Sequence, residues 1–142
     1  MISIRTAELK DTDALQILFR QLGYQTRADS LQTRITEAGS HMQMLVAETN
    51  AGVCGVIVVN FIMPAHEAGL WALISALVID ESARGAGTGQ RLLAEAERIA
   101  AEKNCTQIEL SSSERRERAH KFYENQGYSE VRKRFVKLLG KE

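Results

Sequence analysis

The sequence predicts an α/β (α+β) fold: a mixed, mostly antiparallel central sheet flanked by about four helices, in the order βααβββαβαββ. Three observations predict it. Residues 42–48 and 53–63 are apolar, β-branched runs joined by Asn50-Ala51-Gly52, the pattern of a β-hairpin. Residues 75–97, SALVIDESARGAGTGQRLLAEAE, pass from a strand through a glycine-rich turn into a helical period. Apolar residues at helical spacing recur in three other segments, too short and too well bounded for anything but surface helices.

Each element follows from its own residues. ISIRT (2–6) alternates as a strand. Asp11 stands where it can cap a helix carrying Leu15, Leu18, Phe19 and Leu22 on one face, and Gly23 ends it. A short helix from about Asp29 turns Leu31 and Ile35 inward. The hairpin follows, then a loop at 64–69 holding the only proline, Pro64, then a strand at 70–79. Beyond the glycines, Leu92, Leu93, Ala96, Ile99 and Ala100 mark a helix to about Lys103. TQIELS (106–111) reads as a strand, parallel to 70–79 through a helical crossover. Ala119, Phe122, Tyr123 and Gln126 mark a last helix closed by Gly127, and YSEV and RFVKLL read as two final strands.

With 142 residues, one domain spanning 1–142 is expected. Lys plus Arg and Asp plus Glu each total 18, so no excess of positive charge points to nucleic acid. The apolar stretches are too short to span a bilayer, and MISIRTAELKD lacks an apolar signal core, so the expected setting is cytoplasmic, with no membrane partner. Cys54 and Cys105 lack metal-ligand spacing, so no metal is expected; Cys54, inside an apolar strand, reads as a small buried hydrophobe.

Arg84-Gly85-Ala86-Gly87-Thr88-Gly89-Gln90 needs a reason, because glycine costs backbone entropy. A dinucleotide fingerprint would put its third glycine at 90, which is Gln, and a Walker A loop would need a Lys that is absent. A tight turn without a ligand accounts for one glycine better than for three. The remaining reading is a diphosphate cradle, in which backbone N–H groups and a helix start hold an anion beside Arg84.

At these residues the sequence resembles the GNAT superfamily of N-acetyltransferases. Arg84, Gly87 and Gly89 after the LVI strand look like its acetyl-CoA motif. RERAHKFYENQGYSEV resembles its A-x-x-[FL]-Y-x-x-x-G-[FY] signature through Ala119, Phe122, Tyr123, Gly127 and Tyr128. The opening IRTAELKDTDAL and the element order also fit, so the likeness covers nearly the whole chain. QLGYQTRADSLQTRI and the compact length look most like branches that acetylate small amines, such as aminoalkylphosphonates and aminoglycosides.

The resemblance implies acetyl transfer from acetyl-CoA to a primary amine, by direct attack in a ternary complex. It implies that 84–90 holds the diphosphate and that the backbone of Leu77, Val78 and Ile79 binds the pantetheine arm, with an N–H near Val78 as oxyanion donor. It places Ala119, Phe122 and Tyr123 at the cofactor, with Tyr123 either the acid for the leaving thiolate or a packing residue. Arg116, in the run Arg115, Arg116, Arg118, Lys121, is the basic residue matched to the motif, where the family often has Asn. No carboxylate stands in the strand before the glycine turn, which reads LWALISALVID. The base is therefore a water chain held by Ser75 or by carbonyls, or else His66 or Glu67 from the loop. His66 has the right intrinsic pKa, near ~6.5. Tyr24, His66, Glu67 and Trp71 are the candidate acceptor-pocket residues. The long strands and the final hairpin suit a homodimer. A protein or peptide acetyltransferase and a non-catalytic acyl-CoA sensor are the alternative readings.

Overall fold

The structure is a computed structural model that describes residues 1–111, 117–131 and 135–140. The chain divides into two compact units, Met1–Ser111 and Ser112–Glu142. The first holds β1 (Ser3–Thr6), α1 (Thr12–Leu22), α2 (Ala28–Thr36), β2 (Met42–Thr49), β3 (Gly52–Ile62), β4 (Leu70–Ile79), α3 (Thr88–Glu102) and β5 (Cys105–Leu110), and the second holds α4 (Glu117–Asn125). The strands lie in the order β1-β2-β3-β4-β5. Neighbours are antiparallel up to β4, and β4 and β5 are parallel, as the crossover predicts.

Alternation along β2 and β3 sends successive side chains to opposite faces of the sheet. On one face Leu15, Leu18 and Phe19 of α1 and Leu31 of α2 pack on Met44, Val46, Val56, Val58 and Val78. On the other, Ile57 and Val59 are buried, as are Leu92, Leu93, Ala96 and Ala100 of α3. Fully burying a side chain of this size stabilises by about 1.5–3 kcal/mol. Gly55 makes the α3 face close-fitting: a Cβ there would lie 3.0 Å from Ile79 Cδ1 and 3.2 Å from Leu92 Cδ1. The start of α3 is thereby seated against the end of β4.

Asp11 stands at the N-cap of α1 but does not cap it with its side chain. Its carboxylate accepts two bonds of 2.8 Å from the Arg5 guanidinium and one of 2.7 Å from the Glu8 N–H. Arg5 also donates to Glu48 at 2.9 Å. The bonds from Arg5 hold the Asp11 carboxyl below its ordinary range. Cys54 is buried as expected, Cys105 half-buried, and burial pushes both thiols up.

The two final strands are the correction. Residues 128–131 and 135–139 form no strand, and Val131, Phe135, Leu138 and Leu139 are exposed. Apolar spacing gives a segment the capacity for a strand, whereas a strand also needs a partner edge. The hairpin offered as support for a homodimer is not formed by the described residues. No helix among the described residues is long and apolar enough to cross a membrane.

Candidate active site

The site begins with a change along β4. Residues Trp71–Ile74 pair with β3 on one side and with β5 on the other, the last β5 partner being Ile74↔Leu110. Beyond it, among the described residues, Ala76–Ile79 pair with β3 alone. At the transition, Val59 faces Ile74 and Val58 faces Ala76, so Ser75 is the extra residue of a β-bulge.

The register tells which backbone groups the open half offers. The Asp80 N–H bonds to the Cys54 carbonyl at 2.8 Å. Main-chain groups alternate sides along an antiparallel strand, so those of Val78 point into the β3 ladder and those of Leu77 and Ile79 point to the open side. The N–H of Val78, near which the oxyanion donor is expected, itself faces β3, whereas the main-chain groups of Leu77 and Ile79 lie on the other edge. The Arg84 Nε donates to the Ile79 carbonyl at 3.2 Å, which agrees with that alternation and lays the arginine along the strand end.

The turn after β4 is tied down by side chains. Asp80 accepts from the Ser82 N–H at 3.0 Å, from the Ser82 hydroxyl, and from Gln21 Nε2 at 2.8 Å. These bonds, that of the Ser82 hydroxyl foremost, hold its carboxyl below the usual range. Gln21 Oε1 accepts from the Glu81 N–H at 3.2 Å, so one α1 side chain grips the start of a turn it is remote from in sequence.

The glycines then divide by role. Gly85 and Gly87 have φ of 91° and 82°, the left-handed region that disfavours a side chain, and a Cβ on either would meet nothing within 4 Å. Gly89 sits in the first turn of α3, outside the positive-φ positions, so its backbone conformation does not require glycine. The first N–H groups of a helix have no intrahelical partner, and no acidic residue stands in the first turn of α3. Thr88, 2% exposed, has a buried Oγ1 without a hydrogen-bond partner among the described residues. Exposed glycines and a helix start make this corner suited to an anion.

The acceptor-side candidates lie toward the other end of β4. His66 meets Trp71 edge to face with ring centroids 5.5 Å apart. Glu67 accepts from the Thr106 hydroxyl at 3.3 Å. Trp71 and Ser75 share a face of β4, roughly 13 Å apart at about 3.3 Å per residue. His66 is thus gathered with Trp71, and the structure does not bring it to Ser75. Tyr24, 64% exposed after α1, shares no hydrogen bond or ring contact with this cluster among the described residues. The Trp71 Nε1 is buried and without a hydrogen-bond partner among the described residues.

In the second unit, the Tyr123 ring stands edge-on to Phe122 at 5.3 Å and to Tyr128 at 6.1 Å. Ala119 is half-buried in the same helix. Gly127 closes α4 at φ 91°, and the Tyr128 N–H bonds to the Tyr123 carbonyl at 3.0 Å. Arg115 and Arg116 lie outside the described residues.

Two residues that the sequence reading passed over shape the site: Gln21 and Asn60. The Asn60 Nδ2 donates to Ser75 Oγ at 2.9 Å and to the Leu73 carbonyl at 3.3 Å. Its signal was a lone amide in the apolar run VVNFIM.

A strand open along one edge, leading into a glycine turn and a helix start, defines a domain that binds an extended anionic ligand. The acetyltransferase (GNAT) domain family matches residues 40–130, and the chain belongs to that family: it is an N-acetyltransferase, and the family's acyl donor is acetyl-CoA. It is 31% identical to the aminoalkylphosphonate N-acetyltransferase of Salmonella typhimurium over 141 residues, covering 96% of this chain and 90% of that one. A GNAT family acetyltransferase of Staphylococcus aureus superposes with a TM-score of 0.79 at 26% identity, covering 97% of this chain and 98% of the other. An aminoglycoside N-acetyltransferase in complex with CoA superposes with a TM-score of 0.83 at 15% identity, covering 98% and 95%.

Proposed function

We propose that the protein acetylates a primary amine of a small molecule, in the cytoplasm, by direct attack within a ternary complex. The single observation that carries this reading is the open half of β4 running into the Arg84–Gln90 corner. The relative from Salmonella typhimurium supports the small-amine acceptor, with an aminoalkylphosphonate as the first class to try.

The residues fit acetyl-CoA. Amides of Gly85, Ala86, Gly87, Thr88, Gly89 and Gln90 would hold the diphosphate, with Arg84 beside them. Leu77 and Ile79 offer the open main-chain groups that an amide-containing arm needs, in the manner of an added strand. Val78 packs the strand from behind. Arg116, Ala119 and Phe122 are the further contacts proposed from the motif. Bound there, acetyl-CoA supplies the activated acyl group.

The chain must then manage charge and protons. A main-chain N–H of Leu77 or Ile79 would stabilise the developing oxyanion, an interaction worth ~10²–10³ in rate where one such donor has been removed. An aliphatic ammonium, with a pKa of roughly 10, must lose a proton before its nitrogen can attack. The exposed Ser75 hydroxyl is the proposed route for that proton. Tyr123 is the proposed donor to the departing sulfur. Trp71, Glu67 and Tyr24 are the proposed acceptor-side residues, with Glu67 suited to an ammonium.

Two measurements test this. CoA and acetyl-CoA should each raise the thermal midpoint; no shift with either overturns the cradle. Thiol release should then follow addition of an aminoalkylphosphonate or another small amine from a panel containing an aminoglycoside. Release only with peptide acceptors would replace the small-amine reading, and no release with any acceptor would leave a binding domain.

A further inference from the structure

Resting on the acetyltransferase reading above, we infer that Asn60 is a positioning residue for the proton that the acceptor ammonium loses, acting through the Ser75 hydroxyl. Asn60 follows Val56–Val59, all buried, in the middle of β3. A carboxamide in such a run needs partners for its polar atoms. It finds two on β4: the Leu73 carbonyl at 3.3 Å and Ser75 Oγ at 2.9 Å, both reached by Nδ2.

The carbonyl decides the direction of both bonds. A carbonyl oxygen can only accept, so the atom of Asn60 that faces Leu73 must be the donor nitrogen. The same nitrogen reaches Ser75, so Ser75 Oγ accepts. Its own proton must then point away from Asn60, and one lone pair remains. Serine hydroxyls otherwise rotate freely to suit whatever partner is near. Asn60 removes that freedom at one position.

The position is the bulge. Ser75 is exposed, is the extra residue of β4, and comes directly after the last residue paired with β5. A hydroxyl held there with a free lone pair and a free proton can pass a proton without changing its own charge. The ammonium N–H proton goes to Ser75 Oγ while the Ser75 proton goes to a solvent water. Serine is neutral before and after, the amine keeps the electron pair of the broken N–H bond, and the water carries the charge away. The strand has no carboxylate at this point, and this relay needs none.

The test has a spectroscopic and a kinetic arm. The Asn60 side-chain amide resonances should move on Ser75→Ala; unmoved resonances overturn the bond. With the panel amine that wild type turns over fastest, Asn60→Ala and Ser75→Ala should each lower kcat about tenfold, a part of the 10²–10⁴ typical of positioned proton transfer. The KM for acetyl-CoA should hold. The double variant should be no slower than either single one, whereas multiplied losses overturn the coupling. Asn60→Asp keeps the shape but cannot donate, and should match Asn60→Ala; full turnover in Asn60→Asp overturns the inference, and this variant with Ser75→Ala suffices if Asn60→Ala does not fold. With an alkoxyamine, uncharged at neutral pH, the deficit should close, and an undiminished deficit again overturns it. An active wild type with unaffected Asn60 variants sinks this inference alone. A wild type that binds CoA and acetylates nothing sinks the acetyltransferase reading and this inference with it.

Discussion

β4 is one strand with two environments. Its first half, Trp71–Ile74, has a partner on each side, and its backbone is spent on the sheet. Its second half, Ala76–Ile79, has a partner on one side only among the described residues. The side chains do not announce the difference, since both halves are apolar. A bulged serine marks the boundary. In the reading proposed above, stability and ligand binding share one element by using opposite edges of it.

The sharpest way to break the comparison is to remove single N–H groups from the two edges. Proline at 78 deletes a group in the β3 ladder and should destabilise by about 3 kcal/mol or more, read as a large drop in the urea midpoint. Proline at 77 deletes a group on the open edge. Leu77→Pro should keep a near-native midpoint and lose about 10² in kcat/KM. Equal stability losses in the two variants would mean that the edges do not differ. Gly87→Val should come next: CoA affinity falls by roughly 10²-fold, while the left-handed backbone adds strain of about 1–2 kcal/mol. Titration by calorimetry reads the first and thermal unfolding the second.

Tyr123→Phe should lower kcat about tenfold, a part of the gain typical of a positioned acid, with CoA affinity nearly unchanged. Turnover equal to wild type would leave Tyr123 a packing residue. The scaffold has its own signature. The Asp11 carboxyl lies below its ordinary value near ~3.9, so its contribution is complete above that pH and is lost as pH falls through the lower folded-state value. Urea midpoints at pH 6 and pH 3 should differ, and Asp11→Asn should flatten that difference while leaving CoA affinity alone. The smallest effect is expected at Gly89→Ala. Alanine is the better helix former by about 1 kcal/mol, so stability should rise slightly while CoA binding weakens.

Much of this was legible in the sequence. The hairpin, the 70–79 strand and the helix after the glycines were written in periodicity, and the sheet order followed from one crossover. The glycine turn was legible because only backbone demands explain such a cluster. Long-range polar bonds were not legible: Gln21 reaches Asp80 across 59 positions, and Asn60 reaches Ser75 across a bulge. Periodicity predicts which face a residue takes, not where an extra residue shifts the register. Asp11 shows the same limit, since a cap and an ion-pair anchor carry the same one-letter signal. The last two strands were over-read because apolar alternation at 128–139 says nothing of a partner.

The burial of Cys54 and the partial burial of Cys105 have a practical consequence. Burial of Cys54 and partial burial of Cys105 push both thiols up, which lowers the thiolate share of each at a given pH. A chromogenic disulfide reagent added to count released CoA will therefore consume little of the enzyme's own sulfur, and a continuous optical readout can be run without first blocking or mutating either residue.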